Sequence, residues 1–281
     1  MNPQTARFTY PRLLTIAGSD SSGGAGIQAD LKTFAALGCY GMSAITALTA
    51  QNTVGVQAVL PVAPNMLQAQ IDSVMTDVGC DAAKIGMVPD APSIRAVAHS
   101  LRQHRIKPVV LDPVMVATTG STLMEHAAAP VLLAELAPLC QLITPNLSEA
   151  QLLAECDITS VDDMLHAGRK LQQGTQAAVL VKGGHLAGDA ISDVLVLPDG
   201  SEHVFTDTRI ETQNNHGTGC TLSAAIAAHL AQGADLLQAV QGGRAYVRAA
   251  LQAGAQGRIG CGHGPVNHGF APQAMRMVPL A

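Results

Sequence analysis

The residues best placed to do chemistry are His216-Gly217-Thr218-Gly219-Cys220-Thr221, which run straight into the apolar stretch 222–230. Two glycines and a threonine favour a tight turn whose backbone N–H groups converge on one point. Leu222, Ala225, Ile226, His229 and Leu230 then fall on one helical stripe. A helix that starts after such a turn is an anion site, because its first amides are unpaired and its dipole favours negative charge. Cys220 sits at that start, where a thiol is expected to be acidified and its thiolate accessible. A cradle for an anion with an activatable base beside it points to phosphoryl transfer. An ordinary turn with a buried cysteine is the competing reading of the same six residues.

The elements that must position this turn alternate strand with helix. The pattern predicts a strand at 13–17, a Gly/Ser loop at 19–26 and an amphipathic helix at 27–37 ended by Gly38. A strand follows at 43–49, a helix at 68–78, a strand at 83–87 and a helix at 91–105. Val109-Val110-Leu111 ends at Asp112-Pro113, and Leu142-Ile143-Thr144 ends at Pro145-Asn146. Ser148 is expected to cap the next helix, with Glu149 in its first turn. A strand at 177–181 ends at Lys182, and 193–197 and 202–207 flank the hairpin signal Pro198-Asp199-Gly200. Two helices, 219–231 and 235–253, close the pattern. This is the signature of one doubly wound α/β domain with a mostly parallel sheet. Ligands of such sheets bind beyond the carboxyl ends of the strands. Asp112, Asn146, Lys182 and the 19–26 loop all fall there.

Composition narrows the partners. Across 281 residues, 48% are hydrophobic but only 2% aromatic, so the core must be built from Ala, Leu, Val and Ile, which suits close helix-on-sheet packing. A net charge of −5 with 16 scattered Lys and Arg argues against a nucleic-acid partner. The six cysteines contain no Cys-x-x-Cys pair, which fits a reducing cytoplasm. No apolar segment reaches spanning length, so no membrane role is expected. Gly18 and Gly23 have Walker spacing, but Gly24-Ala25 stands where Lys and Ser/Thr are required, and no Gly-x-Gly-x-x-Gly follows the first strand.

A family resemblance rests on seven segments in order: Thr15 to Asp30, Thr46 to Thr53, Lys84 to Met87, Leu111 to Met115, Thr144 to Ala150, Val181 to His185 and His216 to Thr221. Through these the chain resembles the ribokinase superfamily and, within it, the hydroxymethylpyrimidine/phosphomethylpyrimidine kinases. The resemblance implies a ribokinase-like three-layer α/β fold, with a tail at 1–12 and one kinase domain at 13–281. It also implies ATP and Mg²⁺ as reaction partners, with a monovalent cation such as K⁺ admitted, and a homodimer. Cys220 would take the proton of the substrate CH₂OH, and the amides of Gly217, Thr218, Gly219 and Cys220 would hold the transferring phosphoryl group. Lys182 would neutralise phosphate charge. Asn146 and Glu149 would organise Mg²⁺ through waters, with Asp112 supporting that network.

Substrate choice would rest on Gln51, which offers both a donor and an acceptor to an aminopyrimidine. Asp30 could pair with the amino group or the hydroxymethyl, and Gly18, Met87 and Val114 would line the ring. Taken alone, Met87 reads more readily as core than as pocket, and Gln51 as a solvated strand end. His216 and His185 are expected in capping or surface roles, and Cys261, His263 and His268 match no zinc spacing. The chain departs from the family at Gly269, which interrupts a His-Phe pair, and at Glu211 and Gln213, which replace an Asp and a Lys. A pyridoxal kinase, or a non-catalytic pyrimidine sensor, are the alternatives. Gln51 speaks against the first, and retention of Cys220, Asp112, Glu149 and Lys182 against the second.

Overall fold

Apolar residues at consecutive rather than alternate positions mark strands covered on both faces. The computed structural model, which describes residues 7–116, 120, 123–184 and 190–280, shows such strands at its centre. The chain runs through β1 (Phe8–Thr9), β2 (Arg12–Ala17), α1 (Gly26–Ala36), β3 (Tyr40–Ile45), β4 (Ala47–Asn52), β5 (Gly55–Pro61) and α2 (Pro64–Asp77). It continues through β6 (Ala82–Ile85), α3 (Ala91–His104), β7 (Val109–Leu111) and an irregular helical run, 126–139, that contains the short α4 (Ala129–Val131). Then come β8 (Leu142–Ile143), α5 (Leu147–Ala154), α6 (Val161–Thr175) and β9 (Ala178–Val181). The hairpin β10 (Ala190–Val196) and β11 (Glu202–Thr208) precedes α7 (Thr218–Ala231), α8 (Leu236–Gly254) and β12 (Val278–Pro279).

The main sheet has the order β11-β10-β9-β8-β7-β6-β2-β3. The six strands from β9 to β3 are parallel, and β10 and β11 add an antiparallel edge. Successive strand residues feed opposite faces. Leu14, Ile16, Leu111 and Val179 pack with α2, α3, α5 and α6, whereas Leu13, Val110 and Leu180 pack with α1, α7 and α8. Fully burying each of these side chains contributes about 1.5–3 kcal/mol. Helix α7 lies between the sheet and α8, and its Ala224, Ala225, Ala227 and Ala228 are wholly buried. A Cβ on Gly243 of α8 would stand 2.6 Å from Ile226 Cγ1. Small residues at this seam let the two helices approach closely.

The expected three-layer fold with a mostly parallel sheet is present, with local corrections. The strand expected at 43–49 is two strands, because Thr46 breaks it. Its amide binds Ala17 O (3.0 Å) and its hydroxyl Met87 O (2.6 Å), and the chain then leaves the sheet as a β4–β5 ribbon. The helix cap is Asn146, not Ser148. Helix α6 and strand β5 went unpredicted. Of the segment read as a tail, residues 1–6 lie outside the described residues, but Phe8–Thr9 pairs with Val278–Pro279 and Arg12 opens β2. Among the described residues no helix is long and apolar enough to cross a membrane.

Candidate active site at the carboxyl edge of the sheet

Strands β2, β6, β7, β8 and β9 end on one edge, so Gly18, Met87, Asp112, Asn146 and Lys182 are brought together by topology alone. Helix α7 starts above this edge. Its N-cap, Gly217, has φ +78° and packs against Gly24 O, so both the conformation and the contact require glycine there. The Thr218 amide binds Asn215 O and the Thr221 amide binds Gly217 O. The amides of Gly217, Gly219 and Cys220 have no acceptor among the described residues. The turn is therefore a set of unpaired N–H groups at a helix N-terminus, the arrangement that binds phosphate.

What faces this turn is charged. A Cβ on Gly219 would lie 3.2 Å from Lys182 Nζ and 3.4 Å from Asp112 Oδ2. Lys182 Nζ donates to Asp112 Oδ1 at 2.7 Å, and Thr144 Oγ1 donates to the same oxygen at 3.1 Å. Asp112 Oδ2 takes no hydrogen bond among the described residues. Burial would lower the Lys182 pKa, but Asp112 and Glu149 outweigh it and raise it, so the ammonium stays charged.

Asn146 and Glu149 form a capping box. Asn146 Oδ1 accepts from the Glu149 amide at 3.0 Å, and Glu149 Oε2 accepts from the Asn146 amide at 2.7 Å. Both expected metal organisers are thus engaged with each other. Burial pushes the Glu149 carboxyl up to about 7, against the pull of Lys182 and with a further push from Asp112. Among the described residues no three His, Cys, Asp or Glu are grouped to hold a metal directly. The donor chemistry, hard carboxylate oxygen with only one unshared oxygen at Asp112, fits a hydrated Mg²⁺ held largely by phosphate oxygens rather than a protein cage.

Two expectations need correction. Cys220 is not acidified: burial pushes its thiol up to about 11, with Lys84 the main opposing charge and Asp30 and Asp112 adding to the rise. Asp30 is not free for substrate. It is fully buried, its two oxygens accept from Lys84 Nζ at 2.9 Å each, and Thr15 Oγ1 donates to it at 2.6 Å. Burial would neutralise Lys84, but the charges of Asp30, Cys220 and Asp112 hold its pKa above the ordinary lysine range. Sequence reasoning missed Lys84, because a lysine inside a strand of four buried residues carries no local signal of its partner 54 positions away.

A Cβ on Gly18 would stand 2.6 Å from Met87 Cε, so the two residues share one wall and any larger residue at 18 would push the Met87 side chain aside. Met87 is buried and Val114 half-buried just past Asp112. Gln51 is half-buried on the ribbon. Its amide binds Ser21 Oγ at 2.9 Å and its carbonyl accepts from that hydroxyl at 2.8 Å, which leaves its side-chain amide uncommitted among the described residues. His216, expected at the surface or as a cap, is buried and paired to Asp20 at 2.8 Å. His263 meets Asn215, His268 meets Thr221 and Cys261 is exposed. His185 lies outside the described residues.

Comparison with known proteins agrees with this geometry. The profile of the family described as phosphomethylpyrimidine kinase matches residues 20–267. The hydroxymethylpyrimidine/phosphomethylpyrimidine kinase of Rhizobium meliloti is 51% identical over 257 residues, 91% of this chain and 96% of that protein. A phosphomethylpyrimidine kinase structure from Clostridium difficile is 43% identical and superimposes with a TM-score of 0.76, covering 85% of this chain and 99% of that one. A Bacillus subtilis pyridoxal kinase solved with ADP is 37% identical with a TM-score of 0.85, covering 92% and 98%.

Proposed function

Because the chain belongs to the phosphomethylpyrimidine kinase family, we propose that it transfers the γ-phosphoryl group of ATP first to hydroxymethylpyrimidine and then to the resulting monophosphate. The observation that carries this reading is the set of unpaired amides at Gly217, Gly219 and Cys220, with the Asp112–Lys182 pair close against Gly219.

In the first step the substrate CH₂OH oxygen forms a bond to the γ-phosphorus as the bond to the β-phosphate oxygen breaks and ADP leaves. The released proton goes to Cys220 Sγ. The turn amides stabilise charge on the phosphoryl oxygens, and Lys182 adds a fixed positive charge beside them. Mg²⁺, when bound, would supply positive charge to offset that of the phosphates. Asp112 and, through waters, Asn146 and Glu149 are the residues that would hold it. In the second step the nucleophile is an already ionised phosphate oxygen, so no base is needed. Gln51 reads the aminopyrimidine, while Gly18, Met87 and Val114 shape its ring pocket. We further infer one cytoplasmic catalytic domain working as a homodimer. The six unbridged cysteines support that compartment, and the ribbon residues Leu48, Val54 and Leu60, exposed by 47%, 60% and 65%, suit contact with a second copy.

The test is incubation with ATP, Mg²⁺ and hydroxymethylpyrimidine, followed by mass spectrometry. The monophosphate should appear first and the diphosphate after it. Absence of both products overturns the reading.

A further inference from the structure

Asp20 lies in the loop that follows β2, just past the Gly18–Met87 wall, and its carboxylate is wholly buried. It accepts five hydrogen bonds. Oδ1 takes the Ser22 amide (2.9 Å) and hydroxyl (2.8 Å), and Oδ2 takes the amides of Gly24 (3.0 Å) and Ala25 (2.8 Å) and His216 Nε2 (2.8 Å). Four of these bonds shape its own loop. The fifth crosses 196 positions of sequence to the residue that immediately precedes the phosphate turn. Among the described residues it is the one side-chain pair joining the two loops.

Both loops are anchored on their far sides. Ser21 holds the Gln51 backbone through two hydrogen bonds, and the Thr49 hydroxyl binds Ser19 O at 2.8 Å. The His216 amide binds Gly264 O at 3.0 Å, and the adjoining segment is tied back to the ribbon where the His263 amide meets Thr53 O at 2.9 Å. Packing between the loops leaves no slack. Gly217 abuts Gly24 O, and a Cβ on Gly24 would stand 2.5 Å from His216 Cδ2. A continuous path therefore runs from Gln51 through Ser21, Asp20 and His216 to the unpaired amides of the turn.

We propose that Asp20 and His216 are a positioning pair that fixes the distance between the pyrimidine reader and the phosphoryl cradle. This rests on the kinase reading above. Neither residue touches the reacting atoms; the pair acts through the Gly217–Cys220 turn. Because both phosphorylations use that turn, both should depend on it. A turn free to shift by about 1 Å costs on the order of 10²-fold in rate. Bonds from His216, Ser22 and Ala25 outweigh burial and hold the Asp20 carboxyl below the usual range, so Asp20 remains a carboxylate that can accept all five bonds.

The test compares His216→Gln with His216→Asn in single-turnover assays of each step, alongside wild-type enzyme. Glutamine can set an N–H where Nε2 stands; asparagine is too short. We expect His216→Gln to keep kcat within about fivefold of wild type and His216→Asn to lose about 10–100-fold in both steps. KM for ATP and thermal midpoint should differ little between the two variants. Equal rates for the two variants, high or low, overturn the positioning role, as does a loss confined to one step. Inactive wild-type enzyme would instead count against the kinase reading itself.

Discussion

Cys220 carries the sharpest residue-scale consequence. With its thiol near 11, the base form is scarce at neutral pH. A group that must be deprotonated to act gives a rate that rises with pH, so kcat for the first phosphorylation should climb from pH 7 toward 9. The second step, whose phosphate nucleophile is already ionised, should be nearly flat over that interval. Cys220→Ala should slow the first step by about 10²–10⁴ and abolish its pH slope, while harming the second much less. Equal losses in both steps would mean that Cys220 acts through turn geometry. The His-Gly-Thr-Gly-Cys spacing made the cradle legible from sequence, since helix N-termini obey local rules. The thiol's raised pKa was not legible, because desolvation depends on what tertiary packing places around it.

At the scale of elements, the site is held by struts between strands and helices. Lys84 of β6 and Asp30 of α1 form one such strut, both fully buried. Lys84→Met should destabilise the fold by about 3–5 kcal/mol, because it strands a buried carboxylate. Lys84→Met combined with Asp30→Asn should recover much of that loss in urea denaturation. A single variant as stable as wild type would show that the pair is not an energetic unit. The strand-end residues Asp112, Asn146 and Lys182 were readable because each follows an apolar run that stops at Pro or Gly. Asn146 and Ser148 both read as caps in sequence, and the Asn-x-x-Glu pattern is the one the fold uses. Helix α6 carries the same kind of local signal, Ser160 followed three residues later by Asp163 and then Met164, Ala167, Gly168 and Leu171 on one stripe, all of which the fold buries. The β4–β5 ribbon had no local cue, since its departure from the sheet depends on Thr46 bonding to Ala17 and Met87.

At the scale of the whole molecule, one sheet edge carries the turn of unpaired amides, the Asp112–Lys182 pair and the Gly18–Met87 wall, and the β4–β5 ribbon is tied to the loop after β2 through Ser21 and Gln51. The same architecture serves a pyridoxal kinase, which superimposes with a TM-score of 0.85, so fold alone does not choose between two aromatic alcohols. The choice rests on Gln51 and on the 51% identity to a pyrimidine kinase. The measurement that tests this most directly offers equal concentrations of hydroxymethylpyrimidine and pyridoxal to the enzyme in one vessel with limiting ATP and Mg²⁺, and identifies products by mass. Pyrimidine monophosphate and diphosphate should dominate, with little pyridoxal phosphate. Pyridoxal phosphate as the main product would leave the phosphoryl cradle standing and contradict the assignment of Gln51 as a pyrimidine reader.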